Sequence, residues 1–174
     1  MISTGDIPPD FELPGTDGAA HALGAGEDAA TVVYWTCNHC PYALAWEERM
    51  HRLAADYAAR GVRVLAINSN DAASHPADSF EAMVDRAESE SWALPYLHDE
   101  SQEVARAWGA ERTPHVFVLD GDGALRYRGA PDSDYDDESR EAAWVREALD
   151  AILAGEPVGR PETEPVGCTI KWRP

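Results

Sequence analysis

Two cysteines separated by two residues, Cys37 and Cys40, are the residues of this sequence best suited to chemistry. Such a pair either closes a small disulfide across the first turn of a helix or remains a dithiol whose leading sulfur is a nucleophile. His39 lies between them, and a cationic imidazole there favours a thiolate at Cys37. If a helix begins near Cys40, the free N–H groups and the dipole of its first turn favour the same anion. We therefore expect Cys37 to attack and Cys40 to resolve the mixed disulfide.

Two other interpretations of these residues stay open. The thiols can pack as small hydrophobic side chains without a redox role. Alternatively, Cys37, His39 and Cys40 can supply three zinc ligands, with Cys168 as a fourth. That set requires three ligands to converge from one helical turn, and no second C-x-x-C motif completes the usual tetrahedral site. The pattern therefore favours redox chemistry, and it calls for neither a metal nor a bound cofactor.

The elements around the motif are those that a redox site needs. An apolar, β-branched run over residues 30–36 predicts a buried strand before it, and residues 41–60 have helical periodicity up to a stop at Gly61. Residues 62–68 predict a second buried strand. The remaining predicted elements are a hairpin over 10–14 and 21–23, a helix over 76–91, a strand over 94–97, a helix over 101–108, a hairpin over 115–120 and 124–129, and a helix over 139–154. This order predicts an α/β fold with a central mixed sheet flanked by helices.

The length predicts one domain. The 174 residues suffice for a domain with a full core and are too few for two comfortable ones. We expect a domain over residues 1–154, and a Pro/Gly/Glu-rich, irregular tail over 155–174 that packs on it or trails from it. Three cysteines are too few for a secreted disulfide scaffold. We see no membrane-spanning stretch and no secretory signal, so we expect a cytoplasmic protein.

The charge balance excludes some partners and indicates a habitat. Asp and Glu number 32 against 14 basic residues, which gives a net charge of −18, and Lys171 is the only lysine. Such a charge argues against nucleic-acid and anionic-membrane partners. Molar salt screens the self-repulsion, because the Debye length falls to about 3 Å. The acid excess and the near-absence of lysine therefore predict a high-salt, halophilic cytoplasm.

Four runs of sequence carry a family resemblance. They are P-P-D-F-E-L-P-G-T-D-G (residues 8–18), C-N-H-C-P-Y (37–42), A-I-N-S-N-D (66–71) and G-C-T-I-K-W (167–172). Together with the element order they resemble the thioredoxin superfamily, in its redoxin branch of AhpC/TSA-like, peroxiredoxin-like and thioredoxin-like proteins. The resemblance covers nearly the whole chain. It implies a thioredoxin-like fold in which residues 8–18 form the N-terminal β-hairpin extension of redoxins.

The resemblance also assigns a supporting role to Thr113 and Pro114. It implies that Pro114 occupies the family's cis-proline loop, which presses against the C-x-x-C motif. The Thr113 backbone is then able to pair with an extended substrate by strand addition. Strand directions agree, because the strand after Pro114 should run antiparallel to strand 30–36 and begin at the edge where that strand ends. Asn68, Asn70 and Asp71 should reach the same edge, as site lining or as a capping turn.

The chain departs from its relatives at three positions. Main-class peroxiredoxins carry Pro-x-x-x-Thr/Ser-x-x-Cys, whereas here Tyr34 occupies the Thr/Ser position and Ala30 the proline position. Thioredoxin has a tryptophan directly before its first cysteine, whereas Trp35 lies one position further back. These departures leave the peroxide pocket and the usual thioredoxin partner range without sequence support.

Three functional hypotheses follow from these residues. The leading one is a thiol–disulfide oxidoreductase that acts on protein or low-molecular-weight disulfides and is served by an upstream reductase. The second is a peroxiredoxin-like thiol peroxidase with Cys37 as the peroxidatic cysteine. The third is a non-catalytic module whose cysteines hold a metal or another ligand. Cys168 is either a half-buried tail residue or a third redox residue, the latter if the tail brings it within exchange reach of Cys37.

Overall fold

A five-stranded mixed sheet forms the centre of the structure, a computed structural model that describes residues 1–24 and 27–174. The strands are β1 (Glu12–Pro14), β2 (Ala20–Ala22), β3 (Ala30–Trp35), β4 (Val62–Asn68), β5 (Tyr96–His98), β6 (Arg112–Thr113), β7 (His115–Asp120), β8 (Leu125–Gly129) and β9 (Cys168–Thr169). The helices are α1 (Pro41–Ala58), α2 (Phe80–Ser89), α3 (Glu103–Trp108) and α4 (Ala143–Leu153). Among the described residues, no helix has the length and apolar character needed to cross a membrane.

The central sheet has the order β5-β4-β3-β7-β8, in which β3, β4 and β5 are parallel and β7 and β8 run antiparallel to their neighbours. The predicted mixed α/β fold is therefore confirmed. The predicted N-terminal hairpin is also present, as the antiparallel pair β1 and β2.

Both faces of the sheet are buried, because alternate residues of β3 enter two separate cores. On one face Tyr34 packs with apolar residues of α1, α2 and α4. On the other face Trp35 packs with Phe117 of β7 and Trp108 of α3, with ring centroids 5.4 and 5.7 Å away. A strand covered on both faces is apolar at every position, which explains why β3 reads as a continuous apolar run.

The strand pairings bring the predicted site residues to one edge of the sheet. β3 ends at Trp35 and α1 begins at Pro41, so the C-x-x-C motif lies in the turn between them. The antiparallel pairing of β3 with β7 sets Trp35 opposite His115, which places the Thr113–Pro114 loop at the same edge. The parallel pairing with β4 sets Ile67 beside Trp35. The expectation that these segments share one edge is confirmed.

All four helices are shorter than predicted: α1 and α3 each lose two residues at one end, and a turn interrupts the predicted pattern of the other two. The predicted helix over 76–91 is a 3₁₀ turn at Pro76–Asp78 followed by α2, and the Ser79 hydroxyl caps α2 by accepting the Ala82 amide at 3.1 Å. A second 3₁₀ turn, at Glu138–Arg140, precedes α4. An amphipathic pattern continues through such turns, so periodicity alone does not reveal them.

The tail is less irregular than expected. Its strand β9 pairs antiparallel with β6, with Thr169 opposite Arg112 and Cys168 opposite Thr113. Two-residue strands carry no alternation of apolar and polar residues, and neither β6 nor β9 has a sequence signal.

Candidate redox site

The two cysteines of the motif lie together in a small buried cluster. Cys37 and Cys40 are 1% and 0% exposed, pack with Ala43 of α1, and are both free thiols. Because α1 begins at Pro41, Cys40 is its N-cap residue. Cys37 lies three residues before Cys40. Proline fits the first helical position since the N–H that it lacks has no partner within the helix.

The neighbouring thiol of Cys37 favours the thiolate at Cys40, whereas the Thr113 carbonyl oxygen favours its protonated form. A hydrogen bond from the Cys37 thiol contributes most to lowering the pKa of Cys40. The same Cys37–Cys40 hydrogen bond, together with burial, raises the pKa of Cys37. This order differs from the expected low pKa of Cys37. The physical reason is that Cys40, and not Cys37, directly precedes α1, so that the dipole of the first helical turn acts most strongly on Cys40.

Thr113 contacts both sulfurs. Its hydroxyl oxygen lies 3.5 Å from Cys37 Sγ, and its carbonyl oxygen accepts a hydrogen bond from the protonated Cys40 thiol at 3.1 Å. The Thr113–Pro114 peptide bond is cis, in agreement with the family resemblance. The loop that the resemblance assigns to the site thus lies directly against the motif.

His39 contacts a buried carboxylate that the sequence analysis did not single out. Its Nδ1 atom lies 2.6 Å from Oδ2 of Asp78, a residue that is 0% exposed. The Asp78 carboxylate also accepts the backbone N–H of Asn38 at 2.7 Å and the side-chain amides of Asn68 and Asn70 at 3.0 Å each. These contacts hold the C-x-x-C turn against the end of β4 and fix the position of His39.

The A-I-N-S-N-D run therefore has two roles. Asn68 and Asn70 contribute to the site by donating hydrogen bonds to Asp78. Asp71 instead caps the following turn by accepting the amides of Ala73 and Ser74. The two asparagines were the sequence signal for a polar site. Asp78 had no such signal, because it lies among the other acidic residues of the segment predicted as an amphipathic helix.

The metal interpretation can be tested on the same residues. The grouping best placed to hold a cation within residues 1–24 and 27–174 is Cys37, His39 and Asp78, with ligand atoms within 4.8 Å of one another. The predicted zinc set of Cys37, His39, Cys40 and Cys168 does not form such a group in that part of the chain. The Asp78 oxygens already accept three N–H donors and contact His39, so the protein's own polar groups satisfy this buried carboxylate. The donor set therefore fits a hydrogen-bond network better than a metal.

Cys168 lies beside the motif, next to Cys40. It is half-buried, packs against the Cys37–Cys40 cluster and donates a hydrogen bond to the Cys40 sulfur. Burial and this hydrogen bond raise the pKa of Cys168. The tail thus folds back to the site, as the second interpretation of Cys168 requires, although the sulfur that it reaches is that of Cys40.

Fold and site together define a thioredoxin-like protein of the redoxin branch: a C-x-x-C motif between a buried strand and a helix, facing a Thr-Pro loop on the neighbouring strand. Residues 4–128 match the model of the AhpC/TSA family, and the chain belongs to that family. Membership supports a redox activity in general terms, without specifying the substrate.

Known proteins resemble the chain at two levels. It is 26% identical over 144 residues to Peroxiredoxin Q, chloroplastic, of Triticum aestivum, covering 72% of this chain and 58% of that protein. It is 28% identical over 117 residues to the thiol:disulfide interchange protein DsbE of Yersinia pestis, covering 63% of this chain and 50% of that protein. The chain thus spans about half the length of these curated relatives. A solved structure of an uncharacterized conserved protein from Geobacillus kaustophilus is 41% identical, with a TM-score of 0.94 over 100% of this chain and 94% of that one.

Proposed function

We propose that this protein is a thiol–disulfide oxidoreductase whose Cys37–Cys40 pair cycles between dithiol and disulfide. The observation that carries the proposal is that the two free thiols share one buried cluster at the start of α1 and that Thr113 contacts both of them. Similarity to a thiol:disulfide interchange protein supports the same chemistry. The substrates are disulfides of proteins or small molecules, and an upstream reductase returns the pair to its dithiol form.

The hydrogen-bond direction suggests how the reaction proceeds. The Cys37 thiol passes its proton to the Cys40 thiolate and attacks one sulfur of a substrate disulfide; the substrate S–S bond breaks, and the other substrate sulfur leaves as a thiolate. That thiolate takes the proton from Cys40, which then attacks Cys37 and releases the second substrate sulfur. The protein loses two electrons and one disulfide is reduced. A thiolate at Cys37 is a strong nucleophile once formed, because nucleophilicity rises with pKa.

A second candidate is reduction of hydroperoxides by the same pair. The observation that favours it is the burial of both sulfurs, since a hydroperoxide reaches a buried thiol more easily than a protein disulfide does. In this reaction the Cys37 thiolate attacks one peroxide oxygen, the O–O bond breaks, and the other oxygen leaves as an alcohol or water, which gives a sulfenic acid at Cys37. Cys40 then attacks the Cys37 sulfur, and the disulfide forms with release of water. The similarity to Peroxiredoxin Q supports this chemistry, and Tyr34 in place of the usual Thr/Ser weakens it.

Two assays on the same preparations distinguish the candidates. Insulin disulfide reduction and hydrogen peroxide consumption, each driven by dithiothreitol in molar KCl, are measured for the wild type, Cys37→Ser and Cys40→Ser. We expect the wild type to accelerate insulin reduction at least tenfold over dithiothreitol alone and Cys37→Ser to abolish the acceleration. Cys40→Ser should accumulate a mixed disulfide at Cys37, detectable by mass after acid quenching.

Each result has a definite meaning. Fast peroxide consumption with no effect on insulin would replace the first candidate with the second. Equal activities of the wild type and Cys37→Ser in both assays would contradict both candidates and favour the non-catalytic module, which metal analysis of the purified protein would then examine. Circular dichroism of each variant confirms that the substitutions leave the fold intact.

A further inference from the structure

The C-terminal segment over residues 166–173 lies against the C-x-x-C cluster and the Thr113–Pro114 loop. Its strand β9 pairs with the backbone of β6, and Cys168 lies opposite Thr113 in that pairing. Thr113 is the residue whose hydroxyl and carbonyl groups contact the two buried sulfurs. The tail therefore occupies the backbone edge to which an extended substrate would add as a strand.

Specific contacts hold the segment in this position. The amide of Ile170 donates to the Glu111 carbonyl at 3.1 Å, and the Ile170 side chain is buried in the core beneath the sheet. The amide of Lys171 donates to Asn70 Oδ1 at 2.9 Å, and the Lys171 carbonyl accepts from Gln102 at 2.9 Å. With its backbone anchored on both sides of the sheet edge, the segment is an ordered part of the site.

Gly167 shows how closely the tail approaches the loop. A Cβ atom on Gly167 would overlap the carbonyl group of Thr113 and lie 3.1 Å from the nitrogen of Pro114. Any other residue at this position would push the tail away from β6. Gly159, in the same tail, has no neighbouring atom within 4 Å of an added Cβ and no positive φ. The two glycines thus form a matched pair for testing the position of the tail.

The three sulfurs differ in access. Cys37 and Cys40 are 1% and 0% exposed, whereas Cys168 is partly exposed and packs against Cys40. A reductant that is too large to reach the buried pair can still reach Cys168. Cys168 is therefore the most exposed of the three sulfurs, and it lies beside the buried pair.

We propose that Cys168 is a third redox residue, which exchanges with Cys40 and carries the disulfide from the buried pair to the surface. This inference rests on the proposed function, because it requires a Cys37–Cys40 disulfide. The Cys168 thiolate attacks the Cys40 sulfur of that disulfide; the Cys40–Cys168 bond forms, the Cys37–Cys40 bond breaks, and Cys37 leaves as a thiolate. No external oxidant or reductant is needed, since the number of disulfides is unchanged. An external dithiol then attacks Cys168 and, in two exchanges, reduces the Cys40–Cys168 bond.

Peptide mapping of Cys37→Ser tests the exchange partner directly. The first arginine or lysine of the chain is Arg49, so a tryptic digest leaves positions 37 and 40 on one peptide and Cys168 on another. We oxidise Cys37→Ser with one equivalent of diamide, alkylate the remaining thiols and digest without reduction. We expect more than half of the protein to contain the two peptides linked through Cys40 and Cys168. Recovery of both cysteines alkylated, or linked only between molecules, would overturn the proposal.

The glycine pair tests whether the tail position brings about the exchange. Adding Gly167→Ala to Cys37→Ser should lower the yield of the Cys40–Cys168 link at least fivefold, whereas adding Gly159→Ala should leave it unchanged. Equal yields in the two double variants would show that the link does not depend on the docked tail and would contradict this assignment. Circular dichroism checks the fold, and if Gly167→Ala does not fold, the map of Cys37→Ser alone decides.

The two proposals fail in different ways. One outcome is that wild-type protein forms an internal Cys37–Cys40 disulfide and reduces insulin while Cys37→Ser gives no Cys40–Cys168 link. In that case the proposed exchange with Cys168 is wrong, and the proposed oxidoreductase function is unaffected. If the wild type forms no internal disulfide under the same oxidation, both are wrong. Turnover of Cys168→Ser with a protein reductant adds a kinetic readout. We expect turnover to fall at least tenfold, while a single stoichiometric oxidation of Cys37 and Cys40 remains.

Discussion

Individual buried polar residues set the chemistry at the site. Asp78 is a fully buried carboxylate whose hydrogen-bond partners come from the C-x-x-C turn and from the end of β4. Such a group is stable only because its lone pairs are satisfied by N–H donors, since an unsatisfied buried charge costs several kcal/mol. It therefore locks two chain segments together and holds His39 next to the cysteines.

His115, which directly follows the cis-proline, is a second buried polar residue. It is 1% exposed, and its Nδ1 atom accepts the Glu111 amide at 3.2 Å, which requires that nitrogen to be unprotonated. Burial, together with the positive charges of Arg128 and Arg112, lowers the pKa of His115 to about 3. The fold therefore holds His115 neutral at pH values where an unfolded histidine is charged.

This difference predicts acid-sensitive stability. Because the folded pKa lies below the unfolded value of about 6.5, the contribution of His115 is complete above that value and is lost as pH falls towards about 3. Between pH 7 and pH 5 the expected loss from His115 is about 2 kcal/mol. Urea unfolding of the wild type and His115→Asn at both pH values in molar KCl measures it. His51 and His98 contribute equally to both proteins, so an identical pH dependence of the two would contradict the prediction.

At the scale of elements, a buried ion pair attaches α1 to the segment before α4. Arg49 of α1 is 1% exposed and contacts Asp132 through hydrogen bonds of 3.0 and 3.1 Å. The Asp132 carboxylate also accepts the indole N–H of Trp46 at 2.9 Å and the Ala142 amide at 2.8 Å. The helix that carries the cysteines at its start is thereby fixed to the segment that leads into α4.

Removing one partner of this pair should destabilise the protein strongly. Asp132→Ala leaves the Arg49 charge buried and uncompensated, which lowers the free energy of unfolding by about 3–5 kcal/mol. Asp136→Ala removes an exposed carboxylate from the same acidic loop and should change it by less than about 0.5 kcal/mol. Urea unfolding at pH 7 in molar KCl gives both values. Similar values for the two variants would mean that the ion pair does not hold the helix.

At the scale of the whole molecule, charge repulsion opposes folding. The net charge of −18 lies on a chain of 174 residues. Exposed carboxylates repel one another over about 10 Å at 0.1 M salt and over only about 3 Å at 1 M. Folding brings these charges closer together. Removing salt therefore raises the free energy of the folded state more than that of the unfolded chain.

We accordingly propose that the protein is adapted to high salt, and this proposal predicts a steep salt dependence. From about 0.1 M to 3 M KCl we expect stability to rise by at least about 3 kcal/mol, which corresponds to roughly 6–12 °C in Tm for a chain of this size. Thermal unfolding followed by circular dichroism provides the measurement. Substitution of the exposed residues Glu88, Glu156 and Glu164 by glutamine takes the net charge from −18 to −15 and should flatten the dependence. A Tm that stays constant over this range would contradict the proposal without affecting the redox assignment.

The sequence by itself determined the order of elements and the location of the motif. Apolar runs mark β3 and β4, helical periodicity marks α1, and the Cys37–Cys40 spacing marks the turn between strand and helix. Such signals are local, since a strand buried on both faces or an amphipathic helix has a pattern of its own within a few residues. The sheet edge shared by the motif and the Thr113–Pro114 loop followed from the family resemblance together with the strand directions.

Only the tertiary structure decided how the site residues interact. The pKa order of Cys37 and Cys40 depends on the residue at which α1 begins and on which thiols meet at Cys40. The contact of Asp78 with His39 and that of Cys168 with Cys40 join residues far apart in the chain. Neither contact has a local pattern, because each depends on how a capped turn and a two-residue strand pack against elements formed elsewhere. Hydrogen bonding and burial at the site follow from that packing, and so does the path by which electrons reach the buried cysteines in our proposal.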